Sequence, residues 1–156
     1  NPVVCIDPRR ENKLTDKQAC TPGTVSLGGG QGAPVGITNV KTVSTGQKQV
    51  FTIEISNLGQ GTVTAKGVST CPFNLDYKDL DLVRYDVSIS GLGAGDCKPR
   101  LGNQNLIRLA NGKAQVTCEF TIPQQNSFAY QTPLQITLDY GYTQSVAKQV
   151  EIVKLE

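Results

Sequence analysis

The chain has 156 residues, the usual size of one domain and enough to bury a two-layer core without help from a metal. Its 15 basic and 13 acidic residues are scattered along the sequence and leave a net charge of +2, so neither nucleic acid nor an anionic membrane surface is expected as a partner. The longest apolar runs are only a few residues, so we expect no membrane insertion of the mature chain. The chain begins at Asn1, which suits a processed N-terminus.

The first part of the chain differs in pattern from the rest. Residues 1–27 are polar, show almost no periodicity and contain two cysteines, Cys5 and Cys20. Residues 28–36 are rich in glycine, which indicates a joint that either flexes or runs close to another backbone. We therefore predict a disulfide-looped N-terminal extension over 1–27, a glycine-rich joint over 28–36 and a β-sandwich domain over 37–156.

Alternation of apolar and polar residues marks strands with one buried and one solvent-facing side in the body of the chain. The alternation is strong at residues 51–56, 83–90, 114–122 and 134–140, and weaker strand candidates are 35–44, 62–68, 105–109 and 147–154. No window of ten or more residues shows a convincing helical stripe. The predicted inward side chains are Phe51, Ile53, Ile55, Val83, Tyr85, Val87, Val116, Phe120, Leu134, Ile136 and Leu138.

Turn signals separate these strands at the spacing of a two-sheet sandwich. Asn111-Gly112 is a dipeptide typical of a type I′ hairpin, in which both central residues need a positive φ. Pro123 and Pro133 are predicted to mark strand ends. The sequence thus predicts an all-β fold, an immunoglobulin-like antiparallel β-sandwich of about seven or eight strands, with a disulfide-stapled N-terminal extension.

Five cysteines are better explained by disulfides than by a metal or a redox site, because none of them has CxxC spacing and the chain has no histidine. This predicts a secreted or cell-surface location. A bridge between Cys5 and Cys20 would hold a polar loop that burial alone could not hold. The Asn111-Gly112 hairpin places Cys118 inward and opposite about Asn105, and Cys97 can fold back onto it. Cys71 is then the odd cysteine, either buried and unpaired or joined to another chain, although other pairings remain open.

Several stretches carry a resemblance to a known class of protein. The run VFTIEISNLGQGTV resembles the strand, Asn-x-Gly and turn signature of CARDB-like, immunoglobulin-type modules in archaeal and bacterial surface proteins. GGQGAPVGITNV, LANGKAQVTCEFTIP and TPLQITLDYGYTQSVAKQVEIVK are similar to stretches of secreted archaeal proteins of that general kind. The likeness covers about residues 27–155 and implies a β-sandwich and a surface location.

The composition argues against catalysis. Without histidine a Ser-His-Asp or Cys-His arrangement is impossible, and so are the usual histidine-bearing zinc sites. Carboxylate pairs of the glycosidase kind remain possible, but the acidic residues are placed in turns or on solvent-facing sides of strands. The GGGQG run precedes a strand and lacks the Lys-Ser/Thr ending of a phosphate loop. We therefore expect no enzyme activity and no cofactor.

Two clusters are candidates for binding, each with a structural alternative. Asp76, Asp79 and Asp81 are a minority candidate for calcium, with Asp79 and Asp81 predicted on one side of an extended strand, but Lys78 and Arg84 interleave and favour a solvated loop. Divalent metal is therefore not expected to be needed for folding. Tyr140 and Tyr142 share a face of their strand, which favours packing in the core over a sugar-stacking platform.

The segment Thr24, Val25, Ser26 and Leu27 is a short alternating run beside the glycine-rich joint. Such a segment suits a strand added to the exposed sheet edge of a neighbouring molecule, with Val25 and Leu27 filling apolar positions. The alternative is that it forms the first strand of its own sandwich.

Three functions from different classes follow. The first is a non-catalytic structural subunit of a cell-surface assembly, filament-like or sheath-like, that associates with itself or with a related surface protein through β-strand addition. The second is a surface adhesion or ligand-binding module of an immunoglobulin-like type. The third and remotest is an extracellular hydrolase that uses paired carboxylates.

Overall fold

The computed structural model describes residues 1–8, 19–28, 32–45, 47–68, 75–123 and 128–151. These residues form twelve β-strands and one short 3₁₀ helix at Tyr77–Asp79, and none of them lies in an α-helix. The prediction of an all-β fold is confirmed. The strands are β1 (Val3–Ile6), β2 (Thr24–Ser26), β3 (Val35–Thr45), β4 (Lys48–Asn57), β5 (Thr62–Thr64), β6 (Leu82–Ile89), β7 (Gly93–Ala94), β8 (Asp96–Lys98), β9 (Leu106–Arg108), β10 (Lys113–Thr121), β11 (Tyr130–Asp139) and β12 (Gly141–Thr143).

All strand pairings are antiparallel and they build two main sheets. Sheet I has the order β1-β11-β6-β7, with β9 also paired to β6. Sheet II has the order β2-β3-β4-β10-β8. A separate two-stranded ribbon joins β12 to β5. The strands outnumber the seven or eight expected because several, such as β2, β5, β7, β8 and β9, have only two or three residues, too few to show alternation.

The core lies between sheets I and II, where the apolar members of each alternating run meet. In β4 the side chains of Phe51, Ile53 and Ile55 are almost completely buried, and the polar residues between them face outward. The predicted inward residues are buried, except that Ile136 and Leu138 are only partly buried. The core includes Val4, Ile6, Val83, Tyr85, Val87, Ile89, Ile107 and Leu134 from sheet I, and Val40, Phe51, Ile53, Ile55, Val116, Cys118 and Phe120 from sheet II.

The N-terminal segment contributes one strand to each main sheet. β1 pairs with β11 at the edge of sheet I and buries Val4 and Ile6, while β2 pairs with β3 at the edge of sheet II. The amide of Gln49, a fully buried side chain, donates a hydrogen bond of 2.8 Å to the main-chain carbonyl of Asp7, and the Ser44 hydroxyl donates to the same oxygen. Residues 3–6 and 24–26 are thus built into the sandwich, whereas we expected an extension before it; their strands are too short to show periodicity.

The Asn111-Gly112 turn forms as predicted, with φ of 51° and 74°. The pairing across it stops after Ala110 and Lys113, because β9 then joins sheet I and β10 joins sheet II. The turn is therefore a corner between the sheets, and the expectation that Cys118 lies opposite Asn105 is wrong. Cys118 lies opposite Cys97 of β8 instead.

Candidate functional site

Both predicted disulfides, Cys5–Cys20 and Cys97–Cys118, are present. Cys97 and Cys118 join β8 to β10 across the edge of sheet II, and both are buried in the core. Cys5 lies in β1 at the edge of sheet I, and Cys20 lies just before β2 at the edge of sheet II. Each bridge thus reinforces an edge strand, and Cys5–Cys20 also ties the two sheets together. Cys71, the odd cysteine, falls outside the described residues.

The predicted calcium candidate has a different geometry from the one expected. Asp76 directly precedes the 3₁₀ helix, Asp79 ends it, and Asp81 follows in a turn with φ of 56°. The prediction that Asp79 and Asp81 share one side of an extended strand is therefore wrong, because the chain turns there before β6 begins. The Lys78 ammonium lies 3.2 Å from the Asp76 carboxylate, and the hydrogen bond to Asp76 raises the pKa of Lys78.

The guanidinium of Arg108, in β9, binds the main-chain carbonyls of this loop that a metal cation would need as ligands. It donates hydrogen bonds to the main-chain carbonyls of Tyr77 at 2.8 Å and Lys78 at 3.3 Å, and to that of Leu80. It also lies over the Tyr77 ring, 4.5 Å from the centroid. A calcium ion would draw on the same kind of oxygen, so the guanidinium competes with it. In the part of the chain that the structure describes, no three His, Cys, Asp or Glu residues are grouped closely enough to hold a metal ion.

Tyr140 and Tyr142 are partly buried against the core, in agreement with the packing interpretation. The Tyr140 hydroxyl accepts a hydrogen bond of 3.2 Å from the Val35 amide, and the Tyr142 hydroxyl accepts one of 2.5 Å from the Gly61 amide. A Cβ at Gly61 would collide with the Tyr142 ring, so the turn after β4 requires glycine there. These two hydroxyls therefore fix the connections into β3 and out of β4.

The tyrosine at position 85 is the most deeply enclosed ionisable aromatic. Its hydroxyl donates a hydrogen bond of 2.6 Å to the main-chain carbonyl of Pro99, which joins sheet I to the loop after β8. Burial raises the pKa of Tyr85, and the charges of Asp86 and Asp96 add to this while Arg100 opposes it. The group is therefore held neutral and serves to tie the two sheets together.

The segment Thr24, Val25, Ser26 and Leu27 is paired within its own chain. Thr24–Ser26 is β2, in register with Asn39–Lys41 of β3, and the Leu27 amide donates a 2.8 Å hydrogen bond to the Thr38 carbonyl. Val25 and Leu27 are partly buried. Donation of this strand to a neighbour is thus not what the structure shows; the intramolecular alternative is. The reason is that residues 38–42 of β3 offer a free edge directly beside it.

A different edge is left open in sheet I. β1 pairs only with residues 130–133 of β11, whereas β6 pairs with residues 134–139 on the other side. Among the described residues, no strand lies beside Gln135–Asp139 on the β1 side. We call this five-residue edge the open lane. Its inward side chains, Ile136 and Leu138, are the two predicted core residues that are only partly buried.

Residues 144–151, the described part of the chain after β12, form no regular structure. Residues 144–151 are all exposed, and Val146 and Val150 are exposed by 86% and 73%. We call this the exposed segment. The sequence pattern had indicated a strand at 147–154, but residues 147–151 form none, and the remainder lies outside the described residues.

The outer face of sheet II carries a shallow trough of about 660 Å³ between Leu58 and Gln115. Its floor includes Asn39, Glu54 and Gln115 from three adjacent strands, and the Asn39 amide donates a 2.7 Å hydrogen bond to the Glu54 carboxylate. The trough therefore presents hydrogen-bonding groups beside apolar side chains such as Leu58 and Ala114.

These features define a class: a two-sheet antiparallel β-sandwich with disulfides at its edges. No protein-family model matches the chain, and neither the curated proteins nor the solved structures contain a significant match to it. Within the described ranges, no helix is long and apolar enough to cross a membrane. The disulfides are compatible with a secreted protein.

Proposed function

We propose that this protein is a non-catalytic, extracellular structural subunit of a cell-surface assembly, filament-like or sheath-like, whose copies associate through β-strand addition. The observation that carries this proposal is the Cys5–Cys20 bridge between the edge of sheet I and the edge of sheet II. A sandwich under mechanical load or proteolytic attack fails when its sheets separate or an edge strand peels off. A covalent tie at that place opposes both, and it persists only in an oxidising environment.

The interior supports the same role. Buried polar side chains join different segments of the sandwich: Gln49 donates a hydrogen bond to the Asp7 carbonyl, and Tyr85 donates one to the Pro99 carbonyl. Several acidic side chains make surface ion pairs, among them Glu119 with Lys48 and Asp139 with Lys66, each at 2.6 Å. This use of carboxylates favours a structural protein over a carboxylate-dependent hydrolase.

The test is the state of association of the purified, oxidised protein. Sedimentation velocity over a concentration series, followed by electron microscopy of the heaviest fraction, should show concentration-dependent oligomers that grow in one direction. A protein that remains monomeric throughout, in the oxidised form, contradicts the proposal. The same series after reduction gives the contribution of the disulfides.

A second candidate is a surface adhesion or ligand-binding module of an immunoglobulin-like type, which the trough on sheet II favours. Its row of Asn, Glu and Gln side chains suits a ligand rich in hydroxyl groups, such as a glycan. Glycan-array binding by the wild type, lost in Gln115→Ala and retained in the Lys98→Ala control, would support this candidate. An array without signal removes it.

A further inference from the structure

Association by strand addition needs an edge with unpaired backbone groups and a segment able to pair with it. The open lane supplies the edge. The Leu134 amide donates a 2.9 Å hydrogen bond to the Pro2 carbonyl, so the main-chain groups of Leu134 point towards β1. Alternate residues of a strand point the same way, and therefore the amides and carbonyls of Ile136 and Leu138 point into the open lane.

The opposite side of β11 confirms this direction. Gln135 and Thr137 are in register with Ser88 and Asp86 of β6. The main-chain amides and carbonyls of the odd-numbered residues of β6 point away from β11. The Tyr85 amide donates to the Asn105 carbonyl, and the Val87 carbonyl accepts a hydrogen bond from the Gly95 amide. Hydrogen bonds between β11 and β6 thus use Gln135 and Thr137, and leave Ile136 and Leu138 without strand partners among the described residues.

The exposed segment supplies the strand. Fully extended, its eight residues span about 26 Å, more than the roughly 17 Å of the open lane. Val146 and Val150 lie on the same side of an extended chain, and their high exposure means that the described residues of their own subunit cover little of either side chain. Ile136 and Leu138 are partly uncovered apolar side chains of the lane, so pairing would bury both sets.

The chain turns away from β11 before the exposed segment begins, which favours an occupant from another molecule. Tyr140 is held by the Val35 amide, and β12 then pairs with β5 rather than with β11. We infer that the exposed segment 144–151 of one copy adds as a strand to the open lane beside Ile136 and Leu138 of a second copy. This contact is heterologous, so its repetition extends a chain of subunits. It rests on the proposed function and names the surfaces that perform it.

The test is hydrogen exchange of single amides in the full-length protein at low and high concentration. The amides of Ile136 and Leu138 should exchange about tenfold or more slowly at high concentration than at low concentration. The Thr137 amide, which faces β6, is the internal control and should be protected at both.

Variants of the exposed segment identify the donor. Val146→Asp and Val150→Asp should abolish association and the added protection, while the matched controls Ser145→Asp and Gln149→Asp should retain both. These positions are exposed, so the fold tolerates the charge.

The outcomes separate the two proposals. Oligomers in which Ile136 and Leu138 stay unprotected, or which survive both valine substitutions, overturn this inference and leave the structural role standing. A strictly monomeric protein overturns both. Protection that is already complete at low concentration means that the lane is filled within one molecule, and it overturns the intermolecular contact.

Discussion

Single side chains in this protein show how its two sheets are joined. Tyr85 is the largest fully buried side chain among the described residues, and it keeps its polar tip satisfied by donating to the Pro99 carbonyl. Phe51 and Phe120 meet edge to face, with ring centroids 5.6 Å apart and planes at 78°. Tyr85 thus provides a polar tie between the sheets, and Phe51 and Phe120 provide an apolar contact. The two interactions respond to different perturbations.

The polar tie responds to alkaline pH. Because burial raises the pKa of Tyr85 above its ordinary value of 10.0, the unfolded chain loses this proton before the folded protein does. The stabilisation that the neutral Tyr85 hydroxyl gives the folded protein is complete below about pH 10 and is lost as the pH rises through the folded-state pKa of Tyr85. We expect the melting temperature of the wild type to fall more steeply above about pH 10 than that of Tyr85→Phe. Equal slopes in a pH series of thermal melts would contradict this.

The apolar contact responds to truncation. Replacing Phe51 with Ala leaves a cavity between the sheets and should lower the free energy of unfolding by about 3–5 kcal/mol, measured by denaturant titration. Phe128→Ala is the matched control, because that ring is 76% exposed and its loss should change stability by less than about 0.5 kcal/mol. Similar effects for the two variants would show that Phe51 is not a core residue.

At the scale of the strand, alternation in the sequence predicted the long elements well. β4, β6 and β10 have a regular pattern of buried and exposed residues, so their inward side chains follow from period two alone. β1 could not be found in this way, since four residues in a polar context carry no period. Pro133 was predicted to end a strand, but it lies inside β11, where the ladder to β6 has not yet begun and no amide is needed.

The candidate interaction surfaces were the least predictable part of the molecule. The open lane depends on β1 being shorter than β11, which is a matter of pairing register and leaves no local pattern. The contacts of Arg108 also leave no local pattern, because Arg108 is far in sequence from the loop whose carbonyls it binds. Sequence reasoning identified Thr24–Leu27 as a strand, but it could not determine which edge the strand would join.

The loop at Tyr77–Asp81 carries a prediction of its own. Since Arg108 already binds three carbonyls of this loop, addition of calcium should leave the melting temperature of the wild type unchanged. Magnesium at equal ionic strength is the control for non-specific salt effects. A marked rise with calcium that is lost in Asp79→Asn and Asp81→Asn would establish a calcium site in this loop despite the arginine.

At the scale of the whole molecule, the sandwich depends on the N-terminal segment of the chain. β1 closes one edge of sheet I and β2 closes one edge of sheet II, and Cys5–Cys20 holds the two edges together. Segments that were predicted to be separate in sequence, the extension and the sandwich domain, therefore share one core.

This arrangement predicts that removal of residues 1–27 abolishes cooperative unfolding, because the partners of Val4 and Ile6 lose their cover. Truncation after Thr143, which removes the exposed segment, is the control and should leave the thermal transition intact. Replacing Cys5 and Cys20 with Ser should have an intermediate effect, about 3 kcal/mol. A cooperative, folded protein without residues 1–27 would show that the segment is an appendage.

The pairing of β1 with β11 also determines the order in which the two sheets can form during synthesis. Val3–Ile6 leave the ribosome early, but their partners at Tyr130–Pro133 are made only after most of the chain has followed. At about 5–20 residues per second, β1 waits on the order of ten seconds with its apolar residues uncovered. Cys5 and Cys20 are 15 residues apart, and in an oxidising compartment they can be bridged during that interval. The local disulfide would then form before its strand has a sheet to join, and sheet I would close last.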